Sequence, residues 1–158
     1  MILFFIRRSN DIDHIVPIVY RFVKDGHENI RVLCLQLDYD IFNDWRLNYL
    51  IKKHNVIVDY VYKYFKNGFY QTVLIAITTI AIKLNASWLF RKIYCSRIWN
   101  RAFNEKWMQK AIINVKPSIM VFDWHQQKQQ IVKDLISVAK QNNIKIIGVP
   151  HGGHPFTN

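Results

Sequence analysis

Five short apolar runs alternate along the chain with longer segments in which apolar residues recur every three or four positions. The short runs are continuous, which is typical of parallel strands covered on both faces. They are Ile2–Ile6, Ile30–Gln36, Val56–Tyr60, Ile119–Phe122 and Lys145–Val149. The longer segments are predicted helices, namely Asp13–Lys24, Asn43–Lys53, Gly68–Lys92, Arg97–Val115 and Gln126–Gln141.

The first predicted helix has an apolar stripe on one side. The stripe consists of Ile12, Ile15, Val16, Val19 and Phe22. Proline is tolerated close to a helix start and disrupts a helix interior. Because Pro17 lies within this pattern, we expect the helix to begin around Asp11 to Asp13.

This alternation predicts the α/β class, with a doubly wound parallel sheet of about five strands and right-handed crossovers. A chain of 158 residues with 51% hydrophobic content is long enough to bury a core of its own. It shows no internal repeat and no low-complexity linker. We therefore expect residues 1–158 to form a single Rossmann-like domain.

The net charge of +11 is high for this length and favours anionic partners. Much of it is local, since residues 83–116 contain eight basic residues and one acid, Glu105. The basic stretch is either a solvated helical face or a binding surface. Without a recognised nucleic-acid motif, we expect no nucleic-acid partner.

The most apolar stretch, Phe69 to Leu84, is too short and too polar to predict a membrane span. Basic and aromatic residues flank it, which suits a helix lying on an anionic bilayer. A helix buried against the sheet, or one that binds a partner protein, would have the same pattern.

The sequence gives little information about the cellular compartment of the protein. Cys34 and Cys95 have neither metal nor redox spacing, and Cys34 lies in an apolar run that predicts a small core residue. This cysteine usage favours a reducing compartment, the cytoplasm. Arg7 and Arg8 follow the first apolar run instead of preceding it, so that run is predicted to be a strand and not a signal peptide.

Polar residues follow the predicted strands at their carboxyl ends, where an open parallel sheet binds its ligands. The candidates for substrate contact or catalysis are Asn10, Asp11, Asp13, His14, Asp123, His125, His151, Gly152 and Gly153. The turn Pro150-His151-Gly152-Gly153 would present an imidazole and accessible backbone amides, which favour an anion.

His14 and Asp123 are the candidate catalytic residues. A histidine in the first turn of a helix can act as general base for a hydroxyl nucleophile when a carboxylate orients its other nitrogen. Asp123 is the carboxylate we expect in that role. Asp11 and Asp13 have a simpler explanation, because either one can cap the first helix.

The sequence lacks the motifs of several common kinds of binding and catalytic site. The loop after the first strand, from Arg7 to Asp11, contains no glycine, so an NAD or FAD site is not expected. The chain has no P-loop and no nucleophile elbow. Asp123, His125, His151 and His154 are suitable metal ligands in type but not in spacing. We therefore expect neither a cofactor nor a metal.

Three segments carry a family resemblance: residues 10–18, residues 116–123 and residues 147–153. Together they resemble the N-terminal half of bacterial surface-polysaccharide transferases with the two-domain GT-B fold. The most similar groups are the CDP-glycerol glycerophosphotransferase-like and capsular glycosyltransferase-like enzymes. The Pro-His-Gly turn is the most characteristic of these motifs, and the resemblance in architecture covers nearly the whole chain.

The resemblance implies an acceptor-side domain that works on cell-envelope glycans. Its partners would be a nucleotide-activated sugar or polyol and a glycan or lipid-linked acceptor, at the inner face of the cell membrane. His14 would be the base, and the His151 turn would line the cleft. By the same resemblance, we expect residues 1–158 to be the N-terminal half of a two-domain protein without its C-terminal, donor-binding domain, and therefore to have little or no activity alone.

Two other interpretations remain open from the sequence. The chain could be a non-enzymatic Rossmann-like module that binds an anionic membrane or a partner protein. Nucleotide-sugar 2-epimerases share the same architecture.

Overall fold

The computed structural model describes residues 1–66, 68–123 and 130–150 and contains a five-stranded, wholly parallel sheet of order β3-β2-β1-β4-β5. The strands are β1 (Ile2–Ile6), β2 (Ile30–Cys34), β3 (Ile57–Tyr60), β4 (Ile119–Asp123) and β5 (Lys145–Val149). The doubly wound α/β class is confirmed. The bounds of β1 and β5 are as predicted, and the other strands differ by one or two residues at one end.

Eight helices are present in the described part of the chain. They are α1 (Ser9–Lys24), α2 (Trp45–His54), α3 (Val61–Tyr64), α4 (Phe69–Lys83), α5 (Ser87–Tyr94), α6 (Arg97–Ala102), α7 (Glu105–Val115) and α8 (Gln130–Gln141). The sequence pattern did not predict the short helix α3. The predicted helices 68–92 and 97–115 are wrong as continuous elements, since each is divided in two.

Local backbone chemistry explains both divisions. Asn85 adopts a left-handed conformation with φ of 52° after α4, and asparagine tolerates this conformation at a helix end. The Ala86 N–H group donates to the Ala81 carbonyl across the turn, at 2.9 Å. Asn104 caps α7, because its Oδ1 accepts a hydrogen bond of 3.0 Å from the Trp107 N–H group.

Helix α1 begins at Ser9, so the predicted start around Asp11 to Asp13 is wrong. The Asp11 carboxylate accepts a hydrogen bond of 2.8 Å from the Arg7 N–H group, which stabilises the first turn ahead of Asp11. Pro17 lies well inside the helix on its exposed side. Water can hydrate the carbonyl group that loses its helical partner there, and this lowers the cost of the proline.

The core is centred on β1, whose five residues are all buried. The ring of Phe5 stacks on that of Phe122 in β4, with 4.6 Å between centroids. In the sheet, β2 and β3 lie on one side of β1, and β4 and β5 lie on the other side. Right-handed crossovers therefore place α1 and α2 on one face of the sheet and α8 on the other.

Candidate anion-binding cleft

The crossovers diverge between β1 and β4, and this is the position where open α/β sheets bind ligands. A cleft of about 610 Å³ lies at the end of β1. Its lining residues come from the β1–α1 junction and from the end of β2, and they are Arg7, Arg8, Ser9, Asn10, Asp11 and Gln36. Two of the predicted site residues, Asn10 and Asp11, therefore line one cleft together.

Arg7 and Asp11 form a bidentate ion pair that lines the cleft. The guanidinium Nε and Nη2 groups donate to the two carboxylate oxygens at 2.9 Å each. The Asp11 side chain is only 1% exposed, so its charge is neutralised inside the protein. The hydrogen bond to Asp11 raises the pKa of Arg7 against the effect of burial, and the charge of Asp123 adds to the increase. Arg7 therefore stays positively charged.

Arg8 is the exposed cation of the cleft. Its side chain is 66% exposed, and its Nε group donates a 2.7 Å hydrogen bond to Oε1 of Gln36. The nearest oxygen of Asp38 lies 3.9 Å from Nη2, in an exposed and weak ion pair. A guanidinium group has five N–H donors, and the contact with Gln36 uses only one of them. Arg8 can therefore also make a bidentate contact with a phosphate.

The amino end of α1 opens into the same cleft. Arg8 is the N-cap residue and provides no side-chain cap for this 16-residue helix. The first N–H groups of a helix carry a partial positive charge and favour an anion. Ser9 and Asn10, both exposed, supply the first of these groups.

Asp13 belongs to a network that joins α1 to α2. Its carboxylate is paired with Arg46, and Arg46 is also paired with Asp44 at 2.6 Å. Asp44 accepts a further hydrogen bond of 2.8 Å from the Tyr39 hydroxyl group. Burial raises the pKa of Asp44, but the hydrogen bonds from Arg46 and Tyr39 outweigh that effect and hold it at about 2.

The two candidate catalytic residues lie on α1 and β4, next to the position between β1 and β4 where the crossovers diverge. His14 is half-buried in the second turn of α1, and Asp123 is fully buried at the carboxyl end of β4. The predicted pairing of His14 with Asp123 stays a prediction. His125, His151, Gly152 and Gly153 lie outside the described residues.

A second pocket of about 380 Å³ shares Gln36 with the cleft. Its other lining residues are mainly aromatic or apolar, and they include Leu35, Tyr62, Tyr94, Trp99, Phe103 and Met108. The hydroxyl groups of Tyr62 and Tyr94 are hydrogen-bonded to each other at 2.9 Å. Burial raises the pKa of Tyr62 well above its usual range, so this hydroxyl group is neutral. The pocket exposes aromatic ring surfaces beside the cleft.

Cys34 forms part of the structure beneath the cleft. Its thiol group donates to the carbonyl oxygens of Gln36 and Arg7, at 3.2 and 3.4 Å. Burial raises its pKa to about 12. The prediction that Cys34 is a core residue is confirmed, since it is fully buried.

Arg8 and Gln36 were not among the site residues predicted from the sequence. Consecutive arginines directly after a predicted strand were the available signal for Arg8. Within residues 1–66, 68–123 and 130–150, no three metal-ligating side chains form a group that could hold a metal ion. None of the helices described is long and apolar enough to cross a bilayer.

Comparisons with known protein families, with curated proteins and with solved structures found no match for this chain.

Proposed function

We propose that this chain is the acceptor-side domain of a glycosyltransferase or glycerophosphotransferase in cell-surface polysaccharide synthesis. Its cleft would receive a phosphate group of the substrate. The observation that supports this most directly is the position of Arg8 and the amino end of α1, which share one open cleft at the carboxyl ends of β1 and β2. Both features favour a phosphate there.

The parts of the cleft have different roles in this proposal. Asp11 already neutralises Arg7, so this pair holds the backbone in place. The exposed Arg8 then supplies the charge that meets the ligand. An uncharged part of the substrate would occupy the neighbouring aromatic pocket, which the shared residue Gln36 connects to the cleft.

The proposed chemistry is transfer to a hydroxyl group. The acceptor oxygen would form a bond to the anomeric carbon of the sugar, or to the phosphorus atom next to glycerol. The bond to the leaving nucleotide would break, with its electron pair going to the phosphate oxygen. His14 would take the hydroxyl proton, and Asp123 would orient and stabilise the resulting imidazolium.

The first prediction concerns Arg8. CDP-glycerol, a UDP-sugar and glycerol 3-phosphate serve as probes of the whole chain, with binding measured by NMR titration. We expect weak binding of at least one probe. Arg8→Ala should raise its Kd about tenfold, since charge-assisted hydrogen bonds contribute about 1.5–3 kcal/mol and water replaces part of that.

Arg21→Ala is the matched control. Arg21 lies near the other end of the same helix, is 77% exposed and pairs with Asp25 at 2.9 Å. This variant removes the same charge from the molecule but should leave the Kd unchanged. An equal loss of affinity in both variants would show that the effect comes from the net charge of the molecule and not from the position of Arg8. The proposal is wrong if no phosphate-bearing probe binds or if Arg8→Ala binds as tightly as the parent chain.

A further inference from the structure

Helix α4 is apolar around its whole circumference, but only one side of it is packed. Leu74, Ile75, Thr78 and Ala81 are buried. The exposed large side chains of α4 and its flanking residue are Phe69 (86%), Tyr70 (54%), Ile77 (43%), Ile80 (56%) and Leu84 (72%). An all-round apolar helix is normally covered on every side, and a concentration of exposed apolar residues of this kind marks an interaction surface.

The threonine residues of α4 add little polarity to this surface. The hydroxyl groups of Thr72 and Thr79 donate to carbonyl oxygens four residues earlier, at 3.1 and 2.8 Å. A hydroxyl group that is satisfied by its own helix can enter an apolar environment without losing its hydrogen bond. The helix is therefore suited to a surrounding poorer in water than bulk solvent.

Helix α5 extends the apolar surface and adds positive charge. Trp88 is 68% exposed, and tryptophan favours the boundary between water and lipid. Exposed basic side chains lie close to the apolar residues in the sequence, and they are Lys66, Lys83, Arg91 and Lys92. No acidic residue occurs in the sequence from Tyr60 to Asn104. Nothing in that segment opposes an anionic partner.

We propose that this α4–α5 surface, formed by Phe69, Tyr70, Ile77, Ile80, Leu84 and Trp88 with their basic neighbours, docks on an anionic lipid bilayer. The apolar side chains would enter the headgroup region while the basic side chains contact lipid phosphates. α4 has 15 residues, which suits a helix lying on the bilayer. The charge complements anionic lipid phosphates, because seven basic and no acidic residues occur in that segment.

The test is co-sedimentation of the whole chain with vesicles. One set contains phosphatidylcholine with phosphatidylglycerol, and the other contains phosphatidylcholine alone. We expect salt-sensitive binding to the anionic vesicles and at least tenfold weaker binding to the neutral ones. The double variant Arg91→Gln/Lys92→Gln should lower the partition coefficient by about 25-fold, at roughly fivefold per basic residue. Ile80→Ser/Leu84→Ser should lower it about tenfold or more.

Matched controls come from α2, which is not part of the α4–α5 surface. Lys52→Gln/Lys53→Gln removes two exposed charges, and Trp45→Ser removes a side chain that is 77% exposed. Both controls should bind the anionic vesicles like the parent chain. All positions changed are exposed or lie at a helix end, and circular dichroism confirms that each variant is folded.

Trp88 provides a second, direct measurement. Brominated lipids quench tryptophan fluorescence only at short range, so they should quench the parent chain and leave Trp88→Phe largely unquenched. The docking proposal is overturned if the α4–α5 variants sediment like the α2 controls, or if neutral vesicles bind as well as anionic ones. It is also overturned if the apolar substitutions abolish self-association and leave lipid binding intact. None of these outcomes depends on Arg8, so the proposed cleft stands or fails separately.

Discussion

Cys34 and Cys95 carry the same thiol group in opposite surroundings. Cys34 is fully buried among the ends of β1 and β2, whereas Cys95 is exposed after α5. The thiolate is the reactive form of cysteine, and burial raises the pKa of Cys34 to about 12. The two residues should therefore differ in reactivity by orders of magnitude.

Titration of the native chain with a thiol reagent at neutral pH should detect one reactive group, and titration of the unfolded chain should detect two. Cys95→Ser should reduce the native count to none. Prompt reaction of both thiols in the native chain would contradict the position of Cys34 under the cleft.

Asp11 and Asp13 show what residue-level reasoning could predict. Both are suitable helix caps, and the sequence alone leaves them equivalent. Asp11 finds its partner four residues away in Arg7, which is a local interaction. Asp13 pairs with Arg46, 33 residues away, and that contact depends on how α2 packs against α1. Only the first of these interactions could have been predicted before the fold was known.

Among the elements, α2 depends on a single charged cap. Asp44 accepts hydrogen bonds from the N–H groups of Arg46 and Leu47 and from the Arg46 guanidinium group. Its pKa falls from 3.8 to about 2 on folding. A carboxyl group with a lowered pKa stabilises the folded state above the unfolded pKa, and this contribution is lost as the pH falls through the folded value.

Asp44→Asn should lower the free energy of unfolding at neutral pH by about 1–2 kcal/mol, because it keeps a capping side chain but loses the charge. The difference between parent and variant should shrink as the pH falls from about 4 to about 2. Urea denaturation at a series of pH values measures it. The exposed residue Glu28 supplies a control, since Glu28→Gln should stay close to the parent throughout. A difference that stays constant with pH would exclude the ionised cap as the cause.

Element boundaries were predictable where the signal was local and strong. The apolar runs located all five strands, because a strand buried on both faces has few polar residues. The composition of residues 68–92 favours helix throughout, and a pattern of apolar residues does not reveal a chain reversal. The break at Asn85 depends on one residue in a left-handed conformation, followed by packing of α5 beside α4. The aromatic pocket was not predictable for the same reason, since its lining comes from separate parts of the chain: 35–36, 62, 94–108 and 130–134.

At the scale of the whole molecule, β1 is the central strand through which the two halves of the sheet contact each other. The ring of Phe5 is fully buried and stacked on Phe122. Phe5→Ala should lower the free energy of unfolding by about 3–5 kcal/mol, measured by urea denaturation. Phe42, 52% exposed, is the matched control, and Phe42→Ala should cost less than about 1 kcal/mol. Similar losses in both variants would contradict the central position of β1.

The topology could be predicted as a class because alternating strands and helices with right-handed crossovers leave few arrangements. The cleft lies at the carboxyl end of β1, and its lining includes the sequence neighbours Asn10 and Asp11. Arg8 and Gln36 meet because β1 and β2 are neighbours in register, which a pattern of apolar residues does not specify.

The segment without acidic residues has one more consequence. Residues 1–59 carry eight acidic and eight basic side chains, whereas residues 60–158 carry three acidic and fourteen basic ones. The chain thus combines an N-terminal segment of zero net charge with a longer C-terminal segment that holds the entire net charge. Near an anionic surface it experiences a torque as well as an attraction, and it rotates while it is still diffusing. The charged segment, which contains α4 and α5, would lead the encounter before any side chain makes contact.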